Sequence, residues 1–326
     1  MKNMVRCRVP GRVLRSALFL SALATSAAAQ PFAYVSNEWS DDITVVDLAK
    51  ATVAATIPVG KRPRGIALSP DARTLYVALG SEDAIAVVDV ATRQVTAKIA
   101  AGSDPEMFAL SPDGSKLFAS NEDANSASLI DLARRAVVAS VSVGIEPEGV
   151  SVSPDGRLVY VTSESTHSVS VIQAEPFKVR TSILVETRPR EAAFSPDGSR
   201  AYVTAEIGGA VSVVDVKQSK VVATIRLDRP GARPKGVLVS PDGKRVFVST
   251  GSGNEVVVID AAALEVIGHV PVGGRPWGLG ITRDGRRLIT ANGGAATVSV
   301  IDTETLRVVA TLPAGKGAWG VAVGPG

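Results

Sequence analysis

Ser111-Pro112-Asp113-Gly114, Ser153-Pro154-Asp155-Gly156 and Ser195-Pro196-Asp197-Gly198 follow one another at intervals of 42 residues. A fourth exact copy starts at Ser240 and near copies at Ser69 and Thr282, so the successive gaps from Ser69 are 42, 42, 42, 45 and 42. A second marker keeps the same step. An Asp closes an apolar run at Asp47, Asp89, Asp131, Asp215, Asp260 and Asp302, with Gln173 at the corresponding place in the fourth copy. Two markers with one period and one shared three-residue insertion identify an internal repeat.

Working outward from the tetrapeptide, each repeat reads as four short strands. In the second copy strand A is about Gly65–Leu68, strand B about Thr74–Leu79, strand C about Ala84–Val90 and strand D about Gln94–Ala100. Ser69-Pro70-Asp71 makes the A–B turn, where Pro suits the first central position and Asp the next. The Asp after strand C is expected to hold backbone N–H groups in the C–D turn. No stretch sustains a 3.6-residue period, which argues against α/β repeats. Four strands per 42 residues predict a seven-bladed β-propeller, all-β, with four antiparallel strands per blade. Residues 33–59 supply only strands B, C and D, and Gly320 to Gly324 only a strand A. The two ends are therefore expected to complete one blade and close the ring without a free edge.

The first 29 residues predict a secretory signal. Lys2, Arg6, Arg8, Arg12 and Arg15 precede an apolar stretch from about Ala17 to Ala27, and Ala27-Ala28-Ala29 offers a small-residue cleavage site. The stretch is too short to span a bilayer. The expected division is a signal peptide over 1–29 and one propeller over 30–326. Seven 42-residue repeats and the insertion account for the 297 residues from Gln30 onward. The leader holds five basic and no acidic residues, which leaves 30 basic against 32 acidic groups and a net charge of −2. The basic balance of the whole chain thus gives no argument for nucleic acid. The one cysteine, Cys7, lies in the leader, so the remainder has no disulfide, thiolate metal site or thiol nucleophile. The expectation is a periplasmic or secreted monomer without a membrane span.

The strand B motif reads Tyr160-Val161-Thr162-Ser163 and Tyr202-Val203-Thr204-Ala205, with variants Tyr34-Val35-Ser36-Asn37 and Phe118-Ala119-Ser120-Asn121. Together with Val300-Ile301-Asp302-Thr303 after a strand C, this resembles the YVTN family of β-propeller repeats. Among exported members the chain looks most like the propeller proteins associated with PQQ-dependent alcohol catabolism. That resemblance implies an accessory or binding role beside a periplasmic quinoprotein system.

Function is sought where equivalent loops differ between blades. The residue just before strand A reads Arg64, Glu106, Glu148, Arg190, Lys235, Trp277 and Trp319 around the ring, while Pro precedes it in six of the seven copies. These side chains are predicted to line a funnel at the top of the central channel, or else to be ordinary solvated loop residues. The fifth position of the strand B motif carries Glu38, Glu122, Glu164 and Glu206. Glu122, Glu164 and Glu206 are candidate ligands for an oxygen-seeking ion such as Ca²⁺. The alternative is that the glutamates form exposed ion pairs with Arg64, Arg190 and Lys235. Trp39, Trp277 and Trp319 all fall on top loops and should share one sector, a hot spot for a ring-shaped ligand or partner. The insertion Arg229-Pro230-Gly231 faces the same side.

Two functions follow. One is a binding or accessory module that presents its top face to a periplasmic protein partner or a small redox ligand such as a quinone, with no covalently bound cofactor and no catalytic residue. The alternative is a lactonase-like, metal-dependent hydrolase using the top-face carboxylates, with His167 near Glu164. No Ser-His-Asp set or His-rich metal spacing can be assembled from the sequence.

Overall fold

Each of the six tetrapeptides closes a hairpin by the same bonds. In the third copy the Ser111 hydroxyl donates to Asp113 Oδ1 at 2.6 Å and accepts the Lys116 N–H at 2.9 Å. Gly114, at φ +70°, sits where the preceding blade's Pro70 leaves no room for a Cβ. The second marker is structural as well. Asp89 Oδ1 accepts the Thr92 N–H at 2.7 Å, and Asp47, Asp131, Asp215, Asp260 and Asp302 repeat the bond in their own C–D turns.

The computed structural model describes residues 31–229 and 231–324, together with Met1. The predicted leader otherwise lies outside the described residues, as does Pro230 of the insertion. The described residues form seven four-stranded antiparallel sheets. In the second blade the strands are Pro63–Leu68, Thr74–Leu79, Ala84–Asp89 and Gln94–Ala100, within two residues of the expected bounds. The first blade is closed as predicted: Ala318–Val323 pairs with Phe32–Asn37, setting Ala33 opposite Val323 and Val35 opposite Val321. Among the described residues helix is confined to two short 3₁₀ turns, Gly80–Glu82 and Gly251–Gly253, and none is long and apolar enough to cross a membrane.

The core lies between blades. Tyr34, Ile43, Val45 and Ile57 of the first blade pack against Leu75, Val77 and Val88 of the second. Corresponding clusters join the other neighbours around the ring. Strands B and C are buried on both faces, so they read as near-continuous β-branched runs. Burial of each such Val or Ile contributes about 1.5–3 kcal/mol.

Two devices place the site. The first is a bulge at the start of strand A. In the fourth blade Pro147 faces Ser163 and Val150 faces Val161, so Glu148 and Gly149 together oppose Thr162. The same shift follows Pro63, Pro105, Pro189 and Pro276. A bulge re-aims the extra residue and bends the strand. The second is the strand B hydroxyl. Thr162 Oγ1 accepts the Gly149 N–H at 2.9 Å within its blade and donates to the Arg190 carbonyl of the next at 2.9 Å. Ser36, Ser120, Thr204 and Ser249 make the same pair of bonds, to the carbonyls of Arg64, Glu148, Lys235 and Trp277. The third position of the strand B motif is therefore a latch that ties the start of strand A to the neighbouring blade.

Candidate functional site

The bulges turn the variable ring residues toward one opening. Glu148, Arg190, Lys235, Trp277 and Trp319 line a single cavity of about 470 Å³ on the ring axis. Arg64 shares a second, smaller recess with Trp39, Trp277 and Trp319, and pairs with Glu106. The Trp277 and Trp319 rings lie 5.6 Å apart, and Lys235 Nζ stands 3.9 Å from the Trp277 ring centroid. Arg190 and Arg275 also face that ring, at 5.4 and 5.1 Å. The three tryptophans thus share one sector, with Trp39 the exposed member at 62%.

Glu164 and Glu206 pair with the ring cations in the interior rather than on the surface, while Glu38 pairs with Arg64 at a half-buried position. Glu206 lies 3.0 Å from Lys235 Nζ and 3.4 Å from Arg188 Nε, and both Glu206 and Lys235 are buried. Arg190 bridges Glu148 at 3.1 Å and Glu164, while Arg188 reaches Glu164 at 2.6 Å. Arg64 joins Glu38 at 2.8 Å and Glu106. Glu148, Glu164, Glu206, Arg190 and Lys235 are all buried, which makes the pairs among them costly to break one partner at a time. Burial pushes the Glu206 carboxyl up, but Lys235 and Arg190 outweigh it and hold the group below the usual range. Lys235 goes the other way. Burial, then Arg190, bring its ammonium down to about 8.

The structure does not gather Glu122, Glu164 and Glu206 into one ligand set. Arg188 and Arg190 occupy the oxygens of Glu164 and Glu206. Glu122 falls instead beside Asp104 and Glu106, whose carboxylates approach within 4.8 Å of its own. Arg62 inserts among them, at 2.6 Å from Asp104 and 3.3 Å from Glu106. Glu122 is raised by burial and by Glu148. His167 spends its Nδ1 on the Glu164 carbonyl, 2.7 Å away, as part of its own turn. Arg229 of the insertion pairs with Glu255 at 3.0 Å.

One residue of this cavity was not among the candidates. Glu191 follows Arg190 within the fifth bulge and lines the channel. The equivalent residues are Gly65, Met107, Gly149, Gly236, Gly278 and Gly320, so Glu191 is the sole charge at this level. It is half-buried on the cavity wall. Its Oε2 accepts the Val237 N–H at 3.2 Å and lies beside Gly236, where a Cβ would come within 3.2 Å of it. Burial drives its pKa up to about 7, offset only in part by that one hydrogen bond. The signal was legible as a lone acid in a column of glycines. A carboxyl titrating near neutrality inside a largely apolar cavity is suited to exchanging protons with a bound molecule.

The family model described as "Lactonase, 7-bladed beta-propeller" matches residues 22–136 and 178–307. No curated protein matches the sequence. Among solved structures, the chain is similar to hydrazine synthase of Kuenenia stuttgartiensis, at 25% identity over 80% of this chain and 89% of that one, with a TM-score of 0.73. It is similar to a functionally unknown protein of Desulfotomaculum acetoxidans at 15% identity, over 90% and 98% of the two chains, with a TM-score of 0.80. A candidate 6-phosphogluconolactonase of Bacteroides uniformis aligns at 18% identity over 90% of this chain and 100% of its own, with a TM-score of 0.76. At these identities the last two speak to the fold alone.

Proposed function

The chain belongs to the seven-bladed β-propeller lactonase family, and from that premise we propose that its central cavity hydrolyses a lactone with Glu191 as the general base. The observation that carries this reading is the position of Glu191: a carboxyl without a cationic partner among the described residues, at the boundary between a charged mouth and an apolar channel, poised to titrate at about 7. In its ionised form Glu191 takes a proton from a water molecule as the water oxygen bonds to the lactone carbonyl carbon. The carbonyl oxygen becomes an oxyanion, and Lys235 supplies the facing positive charge. When the tetrahedral centre collapses, the ring C–O bond breaks and Glu191 returns its proton to the departing ring oxygen. The product is an open-chain hydroxy acid. This reading moves the chemistry from top-face glutamates such as Glu164 and Glu206, whose oxygens arginines already hold, to the one acid below them. The test is proton release from a panel of γ- and δ-lactones in weakly buffered solution. Release no faster than in protein-free controls across the whole panel would overturn the proposal.

The recess formed by Trp39, Arg64, Arg275, Trp277 and Trp319 favours a second reading. The Trp319 Nε1–H is buried with no hydrogen-bond partner among the described residues, as it would be if it awaited an acceptor on a ligand. In this reading an exported, monomeric propeller captures a planar quinone or a protein partner and assists a PQQ-dependent alcohol oxidation. Replacing Trp277 and Trp319 by Ala should then abolish capture from periplasmic extract. Undiminished capture would remove it.

A further inference from the structure

Below the mouth the cavity wall changes character. Two residues beyond the ring position stand Ile66, Phe108, Val150, Val237, Leu279 and Val321, one from each of six blades, with Ala192 from the seventh. Leu110, Val152 and Val239 continue the wall toward Pro154, at the turn end of the channel. Among the side chains that line the cavity below the ring, Glu191 and Ser151 alone are polar. Several of the apolar ones, including Leu110, Val152, Leu279 and Val321, remain partly exposed, although they lie on the innermost strands. A wall of this kind holds water poorly, and an apolar group that displaces such water gains affinity. The cavity volume of about 470 Å³ is within the range of small-molecule sites.

We propose that this channel is a tail subsite, so that the substrate class is a lactone bearing an unbranched aliphatic chain, with the ring at Glu191 and the chain running down the axis toward Pro154. The inference rests on the reading of Glu191 as the hydrolytic base. It separates this chain's substrate from a polyhydroxylated sugar lactone, to which the channel offers only two polar side chains.

The experiment compares γ-butyrolactone with its ethyl-, butyl- and hexyl-substituted homologues and with gluconolactone. For each, kcat/KM is measured with the wild-type chain, and Kd with Glu191→Gln through quenching of tryptophan fluorescence. Both kcat/KM and affinity should improve about fourfold for each methylene that enters the channel, and gluconolactone should be the poorest of the set. Ser151→Phe, which fills the channel, should flatten the series. Turnover independent of chain length, or a preference for gluconolactone, overturns the tail subsite while leaving hydrolysis in place. Affinity that rises with chain length in the absence of any turnover supports the subsite and overturns the hydrolytic reading instead.

Discussion

The Glu191 carboxylate accepts the Val237 N–H at 3.2 Å across the interface between the fifth and sixth blades, beside the gap that Gly236 leaves by having no side chain. A Cβ at position 236 would stand 2.5 Å from the Trp277 carbonyl oxygen and 3.2 Å from Glu191 Oε2. The first of these atoms is backbone and cannot swing aside. Gly236→Ala should therefore destabilise the chain by about 1–3 kcal/mol and displace the acid. Urea unfolding measures the first effect. A stability equal to that of the wild type would show that the packing around Gly236 is slack.

The strand B latch can be removed without changing shape. Thr162→Val keeps the volume but leaves the Arg190 carbonyl and the Gly149 N–H without their buried partner. The expected loss is about 1–3 kcal/mol. Thr162→Ser should recover most of it, since Ser120 and Ser249 fill the same role in other blades. Equal midpoints for Val and Ser would contradict the latch.

These residues mark how far the sequence could be read. The period was plain because Ser-Pro-Asp-Gly and the strand C Asp are demanded by turn geometry, which recurs in each blade wherever the chain reverses. The ring from Arg64 to Trp319 was visible because it varies among constant neighbours. Glu191 was overlooked because a bulge sets two residues opposite one, so the channel-facing position extends one residue past the ring, where a lone acid among five glycines and Met107 is its one mark in the sequence. The ion pairs were expected on the surface. Those of Glu164, Arg190 and Glu206 are interior because they join side chains of adjacent blades, a packing outcome that spacing within one repeat does not encode.

The turn aspartates govern acid stability. Hydrogen bonds from the Ser111 hydroxyl, the Ser115 N–H and the Ser115 hydroxyl bring Asp113 down to about 2. Asp302 reaches about 2 through the Thr305 N–H, then Arg287 and the Thr305 hydroxyl. A carboxyl with a depressed folded pKa stabilises fully above its unfolded value near 3.8, and loses that contribution as pH falls through the folded value. Stability should therefore decline between about pH 4 and about pH 2, with proton uptake on unfolding. Asp113→Asn should decline less steeply over this window in urea titrations. Parallel declines would mean that other carboxyls govern the loss.

The pH profile of kcat/KM for lactone hydrolysis, recorded for the wild type and for Glu191→Gln, tests the central claim most directly. Glu191 must be ionised to act as a base, and its burial sets that limb at about 7. Lys235 must stay protonated to face the oxyanion, which sets the opposite limb at about 8. The account predicts a narrow bell between these values, a loss of about 10²–10⁴-fold in Glu191→Gln, and disappearance of the acidic limb in that variant. A Glu191→Gln chain that keeps wild-type activity and the same acidic limb would contradict it.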